Sequence, residues 1–198
     1  LYSVDELATL VAHAKSLGMR VLLDGARISN AAAALGVDFR AFTTDIGIDA
    51  VSFGGTKNGA MGAEAVVVLN PEAVPAVPYL RKSAMQLAST MRFISAQLVA
   101  LLTDELWWRN ARHSNAMAAR LAAAVADVDG LTLSRMPQAN AVFAVLPAHV
   151  TARLQEQFRF YTWDQATGEV RWMCSWDTTE ADIDAFAAAV RAECARVS

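Results

Sequence analysis

The chain has 198 residues, 55% of them hydrophobic and 19% charged, a composition that supports one or two packed domains and argues against disorder. Its net charge of −3 gives no electrostatic reason to expect binding to nucleic acid or to an anionic membrane surface. No apolar run approaches the roughly 18 to 20 residues that a membrane helix needs. The two cysteines, Cys174 and Cys194, form neither a metal-binding spacing nor a disulfide framework, which favours a reducing, cytoplasmic compartment.

The first part of the chain alternates helices with short apolar strands. Ser3 and Glu6 form the S-x-x-E pattern of a capping box, and apolar residues at helical spacing predict a helix from residue 4 to about residue 17. Because this helix opens at once, we expect the chain to begin in mid-domain. Later segments complete an α/β pattern, with a buried parallel strand at 20–24, an alanine-rich helix at 28–35 and further strands at 49–53 and 63–69.

The pattern changes after a long helical region. Residues 79–127 predict two or three helices, and Gly130 ends them. Short strands and helices then alternate (strands at 131–134, 141–146, 158–162 and 169–175; helices at 150–157 and 179–195). We therefore predict two domains: an α/β part of a larger domain at 1–129, including the long helices, and a small α+β domain at 130–198.

Two candidate functional side chains follow neighbouring strands. Asp24 ends the first strand, and Lys57 follows the second in the glycine-rich turn 54–59. Ligands of open α/β sheets bind at the carboxyl ends of strands. A buried acid beside a glycine-flanked lysine is the pair that pyridoxal 5'-phosphate (PLP) chemistry needs: the amine forms a Schiff base, and the acid pairs with the pyridine nitrogen. Taken singly, such an aspartate is more often a turn residue and such a lysine is more often solvated, so the argument depends on the pair.

Three segments resemble the signature of the threonine aldolases, which are fold-type-I PLP enzymes of the β-eliminating lyase group. They are Leu-Asp-Gly-Ala-Arg at 23–27, Asn-Ala-Ala at 30–32 and Ser-Phe-Gly-Gly-Thr-Lys-Asn-Gly at 52–59. Segments 91–97 and 170–172 are similar to later landmarks of the family, and segment 106–112 is most similar to its phenylserine aldolase branch. The resemblance implies the C-terminal portion of such an enzyme, with part of the fold-type-I large domain followed by the small domain.

The resemblance implies roles for individual residues. Lys57 is the catalytic lysine that holds PLP, and Asp24 binds the pyridine nitrogen. Arg27 and Arg171 bind the substrate carboxylate, because a planar guanidinium can grip a carboxylate with two hydrogen bonds. No metal is implied.

Two more basic residues, Arg92 and Lys82, are implied as ligands of the cofactor phosphate, in a neighbouring subunit. Simple solvation is the alternative for each, because a basic residue on a helix is usually solvated. The family shares its active site between two subunits, and residues 91–102 carry much apolar surface for one chain. We therefore expect a homodimer or a homotetramer.

The chain departs from the family pattern in two segments, and the N-terminal part of that pattern is not found in it. Residues 87–90 replace a glycine-rich segment, and Cys174-Ser175-Trp176 stands where the family often has Thr-His. Both changes concern the substrate rather than the reaction. Trp176 would suit a bulky substrate side chain, with a buried core tryptophan as the ordinary alternative. The family's phosphate loop and ring-stacking residue belong to an N-terminal part that we expect to precede this segment. The chain's own histidines match no active-site position and are interpreted as surface residues (His13, His113 and His149).

The leading hypothesis is cleavage of a β-hydroxy-α-amino acid, of the threonine, allo-threonine or phenylserine type, to glycine and an aldehyde. The base that removes the hydroxyl proton is expected outside this segment. Two alternatives stay open at this point: another PLP reaction, either β-elimination or transamination, and a non-catalytic segment that contributes only to subunit packing.

Overall fold

The computed structural model describes residues 1–196, which divide into two compact units, Leu1–Asn110 and a second unit from Ala111 onward. Each unit has its own sheet and its own apolar core. None of the helices in the described part of the chain is long and apolar enough to cross a membrane. Residues 1–196 also contain no cluster of three side chains that could hold a metal ion. The domain boundary near Gly130 stays a prediction.

The first unit is built on a three-stranded sheet. Its strands are β1 (Leu22–Gly25), β2 (Ala50–Gly54) and β3 (Glu64–Val68), in the order β1-β2-β3. The β1 and β2 strands run parallel, and β3 runs antiparallel to β2. The helices are α1 (Val4–Ser16), α2 (Ile28–Leu35), α3 (Val77–Ser83), α4 (Met91–Leu102) and the first turns of α5 (Leu106–Val125). Helices α1 and α2 precede β1 and β2 in turn, as the α/β prediction requires, and three helices follow β3.

Burial in this sheet differs between its strands. The central strand β2 buries Val51 and Phe53 against α2 and the 3₁₀ turn Phe39–Phe42. The prediction that the first strand is buried is wrong, because Leu22 is 67% exposed. The reason is positional: β1 lies at the edge of the sheet and pairs only with β2 within residues 1–196.

The second unit contains a four-stranded antiparallel sheet. Its strands are β4 (Thr132–Arg135), β5 (Ala141–Val145), β6 (Tyr161–Asp164) and β7 (Glu169–Met173), in the order β4-β5-β7-β6. Alternate residues of β5 and β7 are fully buried, and they pack with the rest of α5, with α6 (Ala148–Gln157) and with α7 (Glu180–Ala195). This is the predicted small α+β arrangement. Thr179 and Asp182 form a capping box at the start of α7.

A buried carboxylate fixes the amino end of β2. Asp49 is 2% exposed. Its oxygens accept hydrogen bonds from the Lys15 ammonium (2.5 Å), the Val21 N–H (2.7 Å) and the Asn70 amide (2.8 Å). Hydrogen bonding to the Lys15 ammonium, together with the Val21 and Asn70 donors, lowers the pKa of Asp49 to about 2. This one side chain therefore joins α1 to the segments that precede β1 and follow β3.

We predict that Asp49→Asn destabilises the protein by about 2 kcal/mol at pH 7, because the buried donors lose a charged acceptor. The folded-state pKa of Asp49 is lowered, so its contribution is complete above about pH 4 and is lost as the pH falls towards 2. Urea unfolding at pH 7 and at pH 2.5 should therefore show the difference between the native and variant proteins shrinking at low pH.

Asp45→Asn is the matched control for this variant. Asp45 pairs with Arg40 at the surface, where both side chains are exposed, so its loss should leave stability unchanged within error. A difference between native and Asp49→Asn that is equal at the two pH values would contradict the prediction.

Candidate active site

The parallel pairing of β1 and β2 brings the two candidate residues to one edge of the sheet. Asp24 lies opposite Ser52 in the register. Lys57 lies in the 3₁₀ turn Thr56–Asn58, which begins two residues after β2 ends. Both therefore lie near the carboxyl ends of neighbouring parallel strands, the edge at which sheets of this kind bind ligands.

The Asp24 carboxylate is held by its neighbours at the strand end. Its Oδ1 accepts hydrogen bonds from the Ala26 N–H (3.0 Å) and the Ser52 hydroxyl (3.3 Å), and that hydroxyl accepts one from the Gly25 N–H (3.1 Å). The side chain is exposed in this chain, so the expectation of a buried acid is wrong. Leu22 and Asp24 are alternate residues of the same edge strand, and both are exposed.

Glycines allow the two strand ends to approach closely. A Cβ at Gly54 would lie 2.4 Å from the Ala26 carbonyl oxygen, and one at Gly55 would lie 2.5 Å from the Ala63 carbonyl oxygen. Gly59 ends the turn with a φ of 110°, a conformation that favours glycine. The backbone before Lys57 is therefore packed tightly against neighbouring backbone, which leaves no space for a side chain at position 54 or 55.

The Lys57 turn is clamped on the side away from its exposed amine. The buried Asn58 side chain donates to the Trp107 carbonyl (3.0 Å), and the Asn58 carbonyl accepts from the Asn110 amide (2.8 Å). Farther along, the Met61 N–H donates to Gln97 Oε1 (2.6 Å). Sequence reasoning quoted Asn58 in the motif but gave it no role. The sequence feature that indicates a structural role for Asn58 is its position directly after the lysine, in a glycine-flanked turn.

Few lysines in this chain could react with a cofactor. The sequence contains only three lysines. Lys15 is bound to Asp49 at the amino end of β2, the end opposite to Lys57. Lys82 is exposed on α3. A cofactor that reacts with an amine at the carboxyl edge of the β1–β2 pair therefore has Lys57 as its partner in the described chain.

The other predicted site residues occupy different elements. Arg27 is the N-cap residue of α2, two residues after the end of β1, and is half-buried. Arg92 lies in the first turn of α4, exposed, with its guanidinium 4.9 Å from the Phe93 ring centroid. Arg171 belongs to the second unit, at the middle of β7. The structure therefore brings Asp24 and Lys57 to one edge, with Arg27 three positions after Asp24 in the sequence.

The remaining predictions concern how far individual side chains are exposed to solvent. All three histidines are exposed, as predicted (His13, His113 and His149). Trp176 is 42% exposed, so its interpretation as a core tryptophan is wrong. Its position in the loop between β7 and α7 keeps its ring outside the apolar cluster of the second unit. Cys174 and Cys194 are free thiols, and burial raises the pKa of Cys174 to about 11.

These features define an α/β chain of the fold-type-I class of PLP enzymes. The model of the β-eliminating lyase family matches residues 1–149, and the chain belongs to that family. Over 98% of its length it is similar to the solved structure of the threonine aldolase of Leishmania major, with a TM-score of 0.86, 28% sequence identity and coverage of 57% of that chain.

Two curated relatives from Pseudomonas are also similar. The low specificity L-threonine aldolase of Pseudomonas sp. (strain NCIMB 10558) is 43% identical over 193 residues, which are 97% of this chain and 56% of that protein. The protein of the same name from Pseudomonas aeruginosa is 42% identical over 179 residues, covering 90% of this chain and 51% of that protein. The chain spans about half the length of the curated relatives that it matches.

We predict that Asn58→Asp destabilises the protein by about 2 kcal/mol, because a carboxylate cannot donate to the Trp107 carbonyl and is buried there. Asn110→Ala should cost about 1 kcal/mol, since it removes one donor from the outer side of the same clamp. Lys57→Ala is the matched control, and its thermal unfolding should match that of the native protein because Lys57 is exposed. Equal melting temperatures for native and Asn58→Asp would contradict the clamp.

Proposed function

We propose that this chain is part of a PLP-dependent aldolase that cleaves a β-hydroxy-α-amino acid of the threonine, allo-threonine or phenylserine type to glycine and an aldehyde. The observation that carries the proposal is the pair of Asp24 and Lys57 at adjacent parallel strand ends. The similarity to the low specificity L-threonine aldolases of Pseudomonas supports this reaction over others of the family.

The residues at the β1–β2 edge fit PLP by the chemistry of their side chains. Lys57 supplies an exposed amine on a rigid turn, which would hold the cofactor covalently, and the fixed Asp24 carboxylate would bind the pyridine nitrogen. Glycine at position 54 lets the backbone that follows Asp24 approach the backbone that precedes Lys57. When bound, PLP supplies an electron-accepting ring that stabilises negative charge at the substrate α-carbon. We assign Arg92 and Lys82, both exposed, to the cofactor phosphate of a neighbouring subunit.

The substrate carboxylate would be bound by arginine. Arg27 and Arg171 each offer a planar guanidinium that can donate two hydrogen bonds to one carboxylate. Such a grip would fix rotation about the substrate's α-carbon and so orient the bond that is to be broken. We assign the base for the hydroxyl proton to a residue outside the described chain, because the histidines within it are surface residues on helices.

Assembly and location complete the proposal. Helix α4 exposes Phe93, Val99 and Leu102, and exposed apolar side chains of this size favour contact with another protein surface. We propose that the protein is a homodimer or a homotetramer with a shared active site, in the cytoplasm. Phenylserine as a substrate would be consistent with the exposed Trp176 ring.

Lysine attachment is directly testable. Borohydride reduction of the full protein with PLP should fix the cofactor on the peptide that contains Lys57, as read by peptide mass spectrometry. Lys57→Ala should lose the label and the absorbance of bound PLP, because no other lysine lies at that edge. Lys82→Ala should keep the label on Lys57. Label on Lys82 or Lys15 in the native protein would refute the assignment.

The reaction is tested by product analysis of the complete polypeptide. We expect glycine and the matching aldehyde from one or more of L-threonine, L-allo-threonine, their D-forms and phenylserine. Keto acid with ammonia would indicate β-elimination, and an amino-group acceptor requirement would indicate transamination. A protein that stays colourless with PLP and turns over none of these substrates would favour the non-catalytic alternative.

A further inference from the structure

The outer face of the second unit's sheet carries an unusual set of side chains around Arg171. The inner face of β5 and β7 is apolar and packs against helices, whereas the residues between those buried positions face the other way. On that outer face, the register places Arg171 directly between Phe143 of β5 and Tyr161 of β6. Arg135 of β4 pairs with Phe143 in turn. A row of cationic and aromatic side chains therefore crosses all four strands.

Two irregularities in the edge strands shape this row. In β6 the register shifts between Thr162 and Asp164, so Trp163 is an extra residue without a partner of its own on β7. A similar shift occurs in β4, between Leu133 and Arg135. Bulges of this kind re-aim side chains. Their consequence here is that Trp163 lies against Arg171 and Arg135 lies against Phe143.

The side chains form one continuous stack. The Arg135 guanidinium carbon is 3.9 Å from the Phe143 ring centroid, and the Arg171 guanidinium carbon is 4.3 Å from the Trp163 ring centroid. Phe143 and Trp163 meet edge to face, with centroids 5.8 Å apart. Trp163 is 54% exposed, so this contact is made at the surface of the unit rather than in its core.

Stacking is the interaction that orients Arg171. Within residues 1–196 its guanidinium takes part in no ion pair, and its buried Nε has no hydrogen-bond acceptor. A ring that covers the face of a guanidinium leaves the donors in its plane unused. The stack therefore fixes the plane of Arg171 while leaving its terminal N–H groups for a ligand that lies in that plane.

We propose that Trp163 is a positioning residue for Arg171, holding the guanidinium plane in the orientation that grips the substrate carboxylate. The proposal rests on the carboxylate role given to Arg171 in the proposed function. Positioning lowers the conformational entropy that Arg171 loses when the substrate binds, and so strengthens binding without contact between Trp163 and the reacting atoms.

The test compares a ligand that has a carboxylate with one that lacks it. In the full PLP-loaded protein, Trp163→Leu should weaken glycine binding about fivefold, a size expected of one partly exposed cation–π contact, as measured by calorimetry. Binding of methylamine, which is glycine without its carboxylate, should change by less than about twofold. With L-threonine, KM should rise by a factor similar to that for glycine while kcat changes little.

Matched variants separate stacking from general disturbance. Trp163→Phe keeps a ring and should recover most of the glycine affinity. Tyr161→Leu removes an exposed aromatic side chain from the same face, across from Arg171, and should leave glycine binding within about twofold. The double variant Trp163→Leu with Arg171→Lys should bind glycine no more weakly than Arg171→Lys alone, because the stack acts through Arg171.

The results of these experiments separate the positioning role of Trp163 from the carboxylate role of Arg171. If Arg171→Lys weakens glycine binding but Trp163→Leu does not, the positioning role is wrong and the carboxylate role stands. Equal weakening of glycine and methylamine by Trp163→Leu would also overturn the positioning role, since a general structural effect explains it. If Arg171→Lys leaves glycine binding unchanged, the carboxylate role fails, and the role of Trp163 fails with it.

Discussion

The parallel pairing of β1 with β2 is the constraint on which the candidate site depends. Parallel strands put their carboxyl ends at the same edge, so Asp24 and Lys57 lie at one edge of the sheet although 33 positions apart in the chain. The pairing also requires backbone to pass close to backbone at the Gly54–Ala26 contact, where a Cβ would lie 2.4 Å from a carbonyl oxygen. The pairing of β1 with β2 therefore requires glycine at position 54, and the same pairing brings the acid and the lysine to one edge.

The β2 strand is held at both ends by buried polar groups. Asp49, just before the strand, binds the Lys15 ammonium, and Asn58, just after it, binds the Trp107 carbonyl. Each group would be costly to bury without its partners, so each fixes the position of the segments that it joins. The strand between them is apolar and buried. This combination gives the exposed Lys57 amine a rigid base, as the cofactor-binding role proposed for it requires.

Arg171 is controlled by a different kind of interaction. It lies on the outer face of the second unit's sheet, and no acidic side chain in the described residues forms an ion pair with it. Its orientation comes from stacking on the Trp163 ring, which a bulge in the edge strand β6 places against it. Hydrogen bonds to Arg171 from the protein would use the donors that a carboxylate needs. Aromatic stacking orders the guanidinium and keeps those donors available.

Local patterns in the sequence determined the capping box of α1, the bounds of α2 at 28–35 and the motif residues, because these depend on near neighbours along the chain. The tertiary structure decided what distant neighbours control. It exposed β1 at a sheet edge, placed Trp176 outside the core, and joined Asn58 to Trp107, which is 49 positions away. The stack of Trp163 on Arg171 also depended on the fold, since a one-residue bulge changes which side chain faces which, and residue spacing alone does not locate a bulge.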